Sequence, residues 1–475
     1  MVDHPKYFTV TAEDCTPINT LSIESSDAGV QSLIQQQIFG RKSEIQPARL
    51  SQLLELFGCG WEGLTEPGHM SFVGYSSFVL GQAMKNSEDV ANAICRELDV
   101  PVVKVEGVSV VDVSSPVMSN YSRLISTHPG LYGDSPYVVN TTDQTCVLRQ
   151  TACFQKYSAC LNRPLPVDSL PLALFEVSDS FRREPKPALQ LGFRLRRFHL
   201  PEAHIHTRTV EEAVNLSLRF HPLILSTLSE MEAPIVLLIS ATDEFARSHE
   251  EYFKTLCKDS SARALLKVSP PGELCEDGVE VDVEYHIVDS TGCCRELSTF
   301  QIDRRITETF GISCSDKTTP ATIHAVFTGG VERFLYFCFD RIIRRESQGI
   351  SSHLPLWLSP VILRIWPENI TVLPLALQMA EYLSREGIRT EVDDRGLQFE
   401  VALQDSEALL VPYFVRVDAN KPSDCQTTSM QRFGERSFIR FDMPDFIRNT
   451  KGLCSRHNAI GFSRLSRQLF NTLRK

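Results

Sequence analysis

The apolar positions of this 475-residue chain follow two periods. Alternation at Tyr7 to Val10, at Phe175 and Val177, through Phe193-Arg194-Leu195-Arg196-Arg197-Phe198, and at Val281, Val283, Tyr285 and Ile287 predicts strands. A further strand, RELSTFQID, ends around Gln301. Helical spacing puts Val90, Ala91, Ile94 and Leu98 on one face of a helix from about Ser87 to Leu98. Other helices are expected around Val30 to Phe39 and from Val210 to Leu228, and Asp243 to Leu266 reads as an inserted helical lobe. An extended segment from Val102 to Val113 is interrupted at Gly107 and ends at Ser114-Ser115-Pro116. After Gly349 the pattern is a strand to Trp366, a helix from Leu373 to Arg385, a strand at Thr390 to Val392, a helix around Glu400 to Leu410 and a strand to Val417. That order implies a small α/β domain.

The densest chemistry lies between Phe175 and His206. A strand reaches Phe181-Arg182-Arg183-Glu184, a loop holding Pro185 and Pro187 turns the chain, and the expected return strand carries Arg194 and Arg196 on one face. Such a hairpin can hold a polyphosphate and a purine together, because the arginine fork donates several hydrogen bonds and keeps its charge. By themselves the same residues also describe a solvated basic strand. Gly329-Gly330-Val331-Glu332-Arg333-Phe334 has paired glycines that let backbone approach a ligand, then a helix start with an arginine in its first turn. Cys153, taken alone, is an ordinary buried cysteine.

Composition changes this picture little. With 42% apolar and 23% charged residues the chain is an ordinary globular sequence, long enough for two or three domains. No apolar run is long enough to span a membrane. The start, MVDHPKYFTV, lacks a secretory signal, so a cytoplasmic protein is expected and the 14 cysteines are read as reduced thiols. A net charge of −11 argues against general nucleic-acid avidity but leaves room for a local basic track, here Lys451, Arg456, Arg464, Arg467, Arg474 and Lys475. A solvated helix face is the other reading of that stretch.

The order Phe-Arg-x-Glu, loop, Phe-Arg-x-Arg-x-Phe resembles motif 2 of the class II aminoacyl-tRNA synthetases, and its continuation FHLPEAHIH is similar to the archaeal-type threonyl-tRNA synthetases. GGVERF resembles motif 3, the helix and strand ending at Pro116 resemble motif 1, and PLWLSPV with VDDR resembles the class IIa anticodon-binding domain. The resemblance runs from residue 1 to about 445. It implies an α+β fold, with an antiparallel catalytic sheet flanked by helices and a C-terminal α/β domain. The expected limits are 1–55 for a linker-like module, 56–349 for the catalytic domain and 350–475 for the anticodon-binding-type domain. The first module looks like the segment that follows an editing domain, with no room for that domain before Trp61.

By resemblance the reaction is ATP-dependent activation of threonine to its adenylate, then transfer to tRNA, in a homodimer. Arg182 would hold the α-phosphate and carboxylate, Glu184 the adenine amino group, Arg194 and Arg333 the γ-phosphate end, and Gln301 would lie by the adenylate. The family's segments make Cys153, His204 and His324 candidate zinc ligands, with His206 a competitor for His204, and magnesium would accompany ATP. Zinc with an open position would select threonine over valine. Serine would differ by one methyl, so a separate editing protein is expected. Several positions depart from the family. Glu202 stands where it places an aspartate that contacts substrate, Pro187 replaces a loop glycine, Ile362 replaces a glutamine, and the run after VDDR lacks Gly-Lys-Lys. These departures keep two alternatives open: a paralogue serving another acceptor, or a catalytically silent partner protein. Retention of Arg182, Glu184, Arg194 and Arg333 argues against silence.

Overall fold

The computed structural model describes residues 4–18, 27–40, 48–127, 136–161, 163–258, 263–275, 278–418, 429–432, 439–454 and 463–465. The chain divides into two compact units, the first comprising residues 1–47, 61–70 and 84–337 and the second residues 48–60, 71–83 and 338–475.

The first unit is built on ten strands: β1 (Lys6–Val10), β2 (Cys15–Pro17), β3 (Val102–Lys104), β4 (Leu172–Phe181), β5 (Arg197–Thr207), β6 (Ile235–Ala241), β7 (Ala264–Val268), β8 (Val281–Val288), β9 (Cys294–Asp303) and β10 (Ala321–Val326). They form one sheet in the order β2-β1-β7-β6-β8-β9-β10-β5-β4-β3. Only the β6–β7 and β3–β4 pairs are parallel. Every residue of β7 and β10 is buried, as expected for interior strands covered on both faces. The first strands of the chain thus join this sheet rather than standing apart, β1 pairing with β7 from Lys6↔Val268 to Val10↔Ala264.

Helix α1 (Ala28–Gln37) begins where the Asp27 carboxylate accepts from the backbone N–H groups of Gly29 and Val30, at 2.9 and 3.0 Å. Its Val30, Leu33 and Ile34 pack on Val236, Leu238 and Leu265. Burying each such side chain stabilises by about 1.5–3 kcal/mol. Helix α2 (Cys153–Cys160) buries Phe154, Lys156 and Tyr157. Helix α3 (Val210–Leu228) is capped by Thr209 and turns Phe220 and Ile224 inward.

Several sequence expectations change. The segment Asp243 to Leu266 is not an inserted lobe. Its helices Asp243–Ser248 and Glu250–Lys258 are the crossover between parallel β6 and β7, which no tight hairpin could join. The helix expected from Ser87 spans Tyr75–Glu97. Pro116 is the first residue of helix Pro116–Thr127, where its missing N–H costs nothing. The return strand of the arginine hairpin starts at Arg197, not Phe193. Residues 190–194 close a turn instead, with Gly192 at φ 77° and Arg194 N–H donating to Gln190 O at 2.9 Å.

In the second unit, β11 (Leu363–Pro367) lies between parallel β12 (Thr390–Val392) and β13 (Tyr413–Val417). β14 (Ser429–Arg432), β15 (Ile439–Arg440) and β16 (Ser463–Arg464) extend the sheet to six strands. Helix α4 (Leu373–Arg385) covers it with Ala376, Met379, Ala380 and Leu383. The Arg364 side chain, fully buried, is held by Glu391 at 2.9 Å and Asp405 at 3.0 Å. Of the C-terminal basic positions, Lys451 pairs with Glu386 and Arg464 with Asp394. Arg456, Arg467, Arg474 and Lys475 lie outside the described residues. Among the described residues no helix is long and apolar enough to cross a membrane.

Candidate active site and metal centre

The register of three neighbouring strands puts the chemistry in one row. His204 on β5 is directly opposite His324 on β10, and His324 is opposite Gln301 on β9. Glu202, two residues before His204, shares its face of β5. Helix α2 packs beside this row and delivers Cys153.

The resulting cluster is tight. Cys153 Sγ lies 3.4 Å from His204 Nε2 and 3.9 Å from His324 Nδ1, and the two histidine nitrogens are 3.1 Å apart. Glu202 Oε1 is 3.4 Å from His204 Nε2 and 3.8 Å from His324 Nδ1. All four ligand atoms fall within 4.8 Å of one another, and all four residues are buried. Tyr157 O–H lies 3.2 Å from the far nitrogen of His324, fixing that ring from behind.

The electrostatics suit a cation. Burial opposes charge on His324, yet Cys153 and Glu202 outweigh it and lift its pKa to about 10. Burial, with Lys156 and His324 nearby, pushes His204 well below the ordinary histidine value, leaving a neutral imidazole whose Nε2 faces the cluster. Glu202 is held well below the carboxylate range despite its burial, because Lys156 and His204 favour the anion. Thiol, two imidazoles and a carboxylate at this spacing form a donor set that fits zinc. His206, the competitor, does not enter it: its Nδ1 pairs with Thr322 Oγ1 at 2.8 Å, and burial depresses its pKa to about 3.

A cavity of about 320 Å³ borders this cluster at Glu202 and His324, and Gln301, Arg182, Glu184, Arg194 and Arg333 also line it. Arg182 lies over the Phe198 ring, 5.2 Å from its centroid. Arg194 pairs with Glu184 at 2.9 Å, and Arg333 with Glu296 at 2.7 Å while stacking on Phe193. Burial would lift Glu296, but Arg333 and His286 hold it below the usual carboxylate range. Gln301 donates to Asp282 Oδ2 at 3.0 Å. Arg196, expected beside Arg194, turns to Glu66 at 2.8 Å and donates to the backbone oxygen of Glu184.

Three charged residues of the site were given no role by sequence reasoning. Lys156, fully buried, reaches Glu202 Oε2 at 3.3 Å. Its spacing of three from Cys153 on a helix was the available signal. Glu296 was visible only as a polar residue in a strand. Glu332 takes the His199 backbone N–H at 2.9 Å and His199 Nδ1 at 2.7 Å, tying the start of helix Val331–Ser347 to β5.

The chain matches the tRNA synthetase class II core domain (G, H, P, S and T) over residues 137–341. It is 34% identical over 414 residues to the threonine–tRNA ligase of Pyrobaculum calidifontis, covering 86% of this chain and 66% of that protein. With the threonine–tRNA ligase of Pyrobaculum arsenaticum it shares 32% identity over 408 residues, covering 85% of this chain and 65% of the relative. The chain thus spans just under two thirds of the length of these curated relatives. In structure it is similar to the RNA binding domain of threonyl-tRNA synthetase from Cryptosporidium parvum Iowa II, with a TM-score of 0.69 and 15% identity over 85% of this chain and 98% of that one. It is also similar to Giardia lamblia prolyl-tRNA synthetase in complex with prolyl-adenylate, with a TM-score of 0.63 and 16% identity over 84% of this chain and 75% of that one. At these identities the structural likeness shows the fold alone.

Proposed function

The chain is a homologue of threonine–tRNA ligases over most of its length and carries a class II tRNA synthetase core, and from that premise we propose that it activates threonine with ATP and transfers it to tRNA. The observation that carries this reading is a single cavity lined by Glu202 and His324 of the buried Cys-His-His-Glu cluster and by three arginines, Arg182, Arg194 and Arg333. Such a cavity suits a small amino acid joined to a nucleotide.

Catalysis here is alignment. Arg182 holds the α-phosphate and the amino-acid carboxylate in line, and stabilises charge developing at phosphorus. Arg194 and Arg333 take the distal phosphates of magnesium-bound ATP, leaving their resting partners Glu184 and Glu296 to do so. Glu184, released, is free for the adenine amino group, and Gln301 faces the bound amino acid and adenylate. Cys153, His204 and His324 hold zinc, which supplies coordination for the amino and hydroxyl groups of threonine. Valine has no hydroxyl to offer, so it is rejected strongly. Serine differs by a methyl worth only about 1–3 kcal/mol, so its errors are cleared outside this cavity, the place for a separate editing protein. The working form is a cytoplasmic homodimer, with the residues after 349 contacting tRNA.

The test is amino-acid-dependent exchange of pyrophosphate into ATP without tRNA, with threonine, serine and valine in parallel. Exchange is expected with threonine, more weakly with serine and not with valine. Another amino acid winning would move the substrate assignment and keep the activation chemistry. Bound ATP without any exchange would favour a silent partner protein.

A further inference from the structure

We propose that Glu202 is a fourth protein ligand, so that the metal site rests closed and the amino acid enters by displacing a carboxylate held from behind by Lys156. This rests on the reading of the cavity as a zinc-holding, amino-acid-activating site.

The spacing of the donor atoms carries the proposal. Zinc bonds of about 2.0–2.2 Å to nitrogen or oxygen and about 2.3 Å to sulfur make tetrahedral edges of about 3.3 Å between light atoms and about 3.6 Å to sulfur. The His204–His324 edge is 3.1 Å, and the Cys153 edges are 3.4 and 3.9 Å. The Glu202 Oε1 edges to the two histidines are 3.4 and 3.8 Å, and Oε1 lies within 4.8 Å of Cys153 Sγ. One carboxylate oxygen therefore stands beside the three other donors, within a small contraction of the fourth corner.

Its other oxygen explains how it can leave. Oε2 lies 3.3 Å from Lys156 Nζ, on the helix that carries Cys153 one turn earlier. Lys156 is wholly buried, and a buried ammonium requires a paired anion. Without Glu202 the metal and Lys156 would be two buried cations facing one thiolate. With it, two anions face the three positive charges at rest. On exchange the Oε1–metal bond breaks, the carboxylate keeps its electron pair and its pairing with Lys156, and lone pairs of the incoming ligand replace it. The longer side chain at this position provides that reach.

The test uses the full chain loaded with zinc or cobalt(II). Chelator competition should show zinc held at least about tenfold less tightly by Glu202→Gln than by the wild type, a loss no smaller than that of an outer-shell partner. The visible spectrum of the wild-type cobalt(II) protein should not respond to millimolar azide, because no exchangeable position is open, and should shift on adding threonine. The Glu202→Gln spectrum should respond to azide. Equal zinc retention in wild type and variant, or ready azide uptake by the wild type, would overturn the proposal. The wild-type azide measurement decides even where the variant does not fold. The two readings fail separately: threonine exchange with an azide-responsive wild type sinks the closed site alone, while tight Glu202-dependent zinc without exchange sinks the activity alone.

Discussion

Arg149 and Glu176 meet at 2.6 Å with side chains 4% and 3% exposed. The same guanidinium reaches Asp179 at 2.8 Å and donates from Nε to the Asp179 backbone oxygen. Arg149 stands just before helix α2, so this clamp ties the segment that delivers Cys153 to β4.

Breaking the clamp should therefore unsettle both fold and metal site. Arg149→Met leaves Glu176 buried without its counter-ion, with the Gly107 N–H at 3.0 Å as a remaining partner, which costs about 3–5 kcal/mol. Denaturant unfolding should show that loss, and zinc retention should fall with it. An unchanged unfolding midpoint would show that the pair contributes nothing.

The Asp179 end of the clamp predicts a pH dependence. Burial favours the neutral acid, but the hydrogen bonds from Arg149 and Ser109 outweigh it and hold the pKa below the usual 3.8. A depressed carboxyl stabilises fully above its unfolded value of about 4, and that stability is lost as pH falls through the lower folded value. Unfolding free energies of wild type and Asp179→Asn should thus differ most near neutrality and converge as pH drops below about 4. A gap that stays constant into acid would rule out this linkage.

How much of this was legible depends on the range of the interaction. The strands and helices from Leu363–Pro367 through Tyr413–Val417 were readable because each carries its own period. The arginine hairpin was misread because the alternation Phe193 to Phe198 satisfies a strand and a turn alike. Gly192, with its positive φ, held the missing information. The cluster could not be assembled from spacing at all, since the pairing of His204 with His324 is fixed by a β5–β10 register and not by local sequence. Only the family resemblance named Cys153, His204 and His324 together. Lys156 was missed because an isolated lysine is read as solvated.

The glycine pair before Arg333 separates two kinds of constraint. Gly329 sits at φ 80°, and a Cβ there would meet the Leu297 backbone oxygen at 2.1 Å. That backbone belongs to β9 and cannot yield cheaply. Gly330 would meet only the His199 backbone oxygen at 3.6 Å, an ordinary contact. Gly329→Ala should then destabilise by more than about 1 kcal/mol, while Gly330→Ala should stay within about that amount. Thermal unfolding of both variants checks this, and equal shifts would contradict it.

The two histidines at one face of β5 predict opposite metal behaviour. His204 Nε2 lies among the donor atoms, whereas His206 Nδ1 is engaged by Thr322 and its ring stands outside the cluster. Replacing His204 with alanine removes a ligand and should leave a purified protein with far less than one zinc per chain. His206→Ala removes a buried ring without touching the donor set, so its cost should be a cavity penalty of about 2–4 kcal/mol in unfolding with zinc content preserved. Elemental analysis of both proteins after identical dialysis separates the cases, because a general loss of folding would lower zinc in both. Zinc lost from His206→Ala but kept by His204→Ala would exchange their assignments, and equal retention by both would mean that neither ring is required to hold the metal.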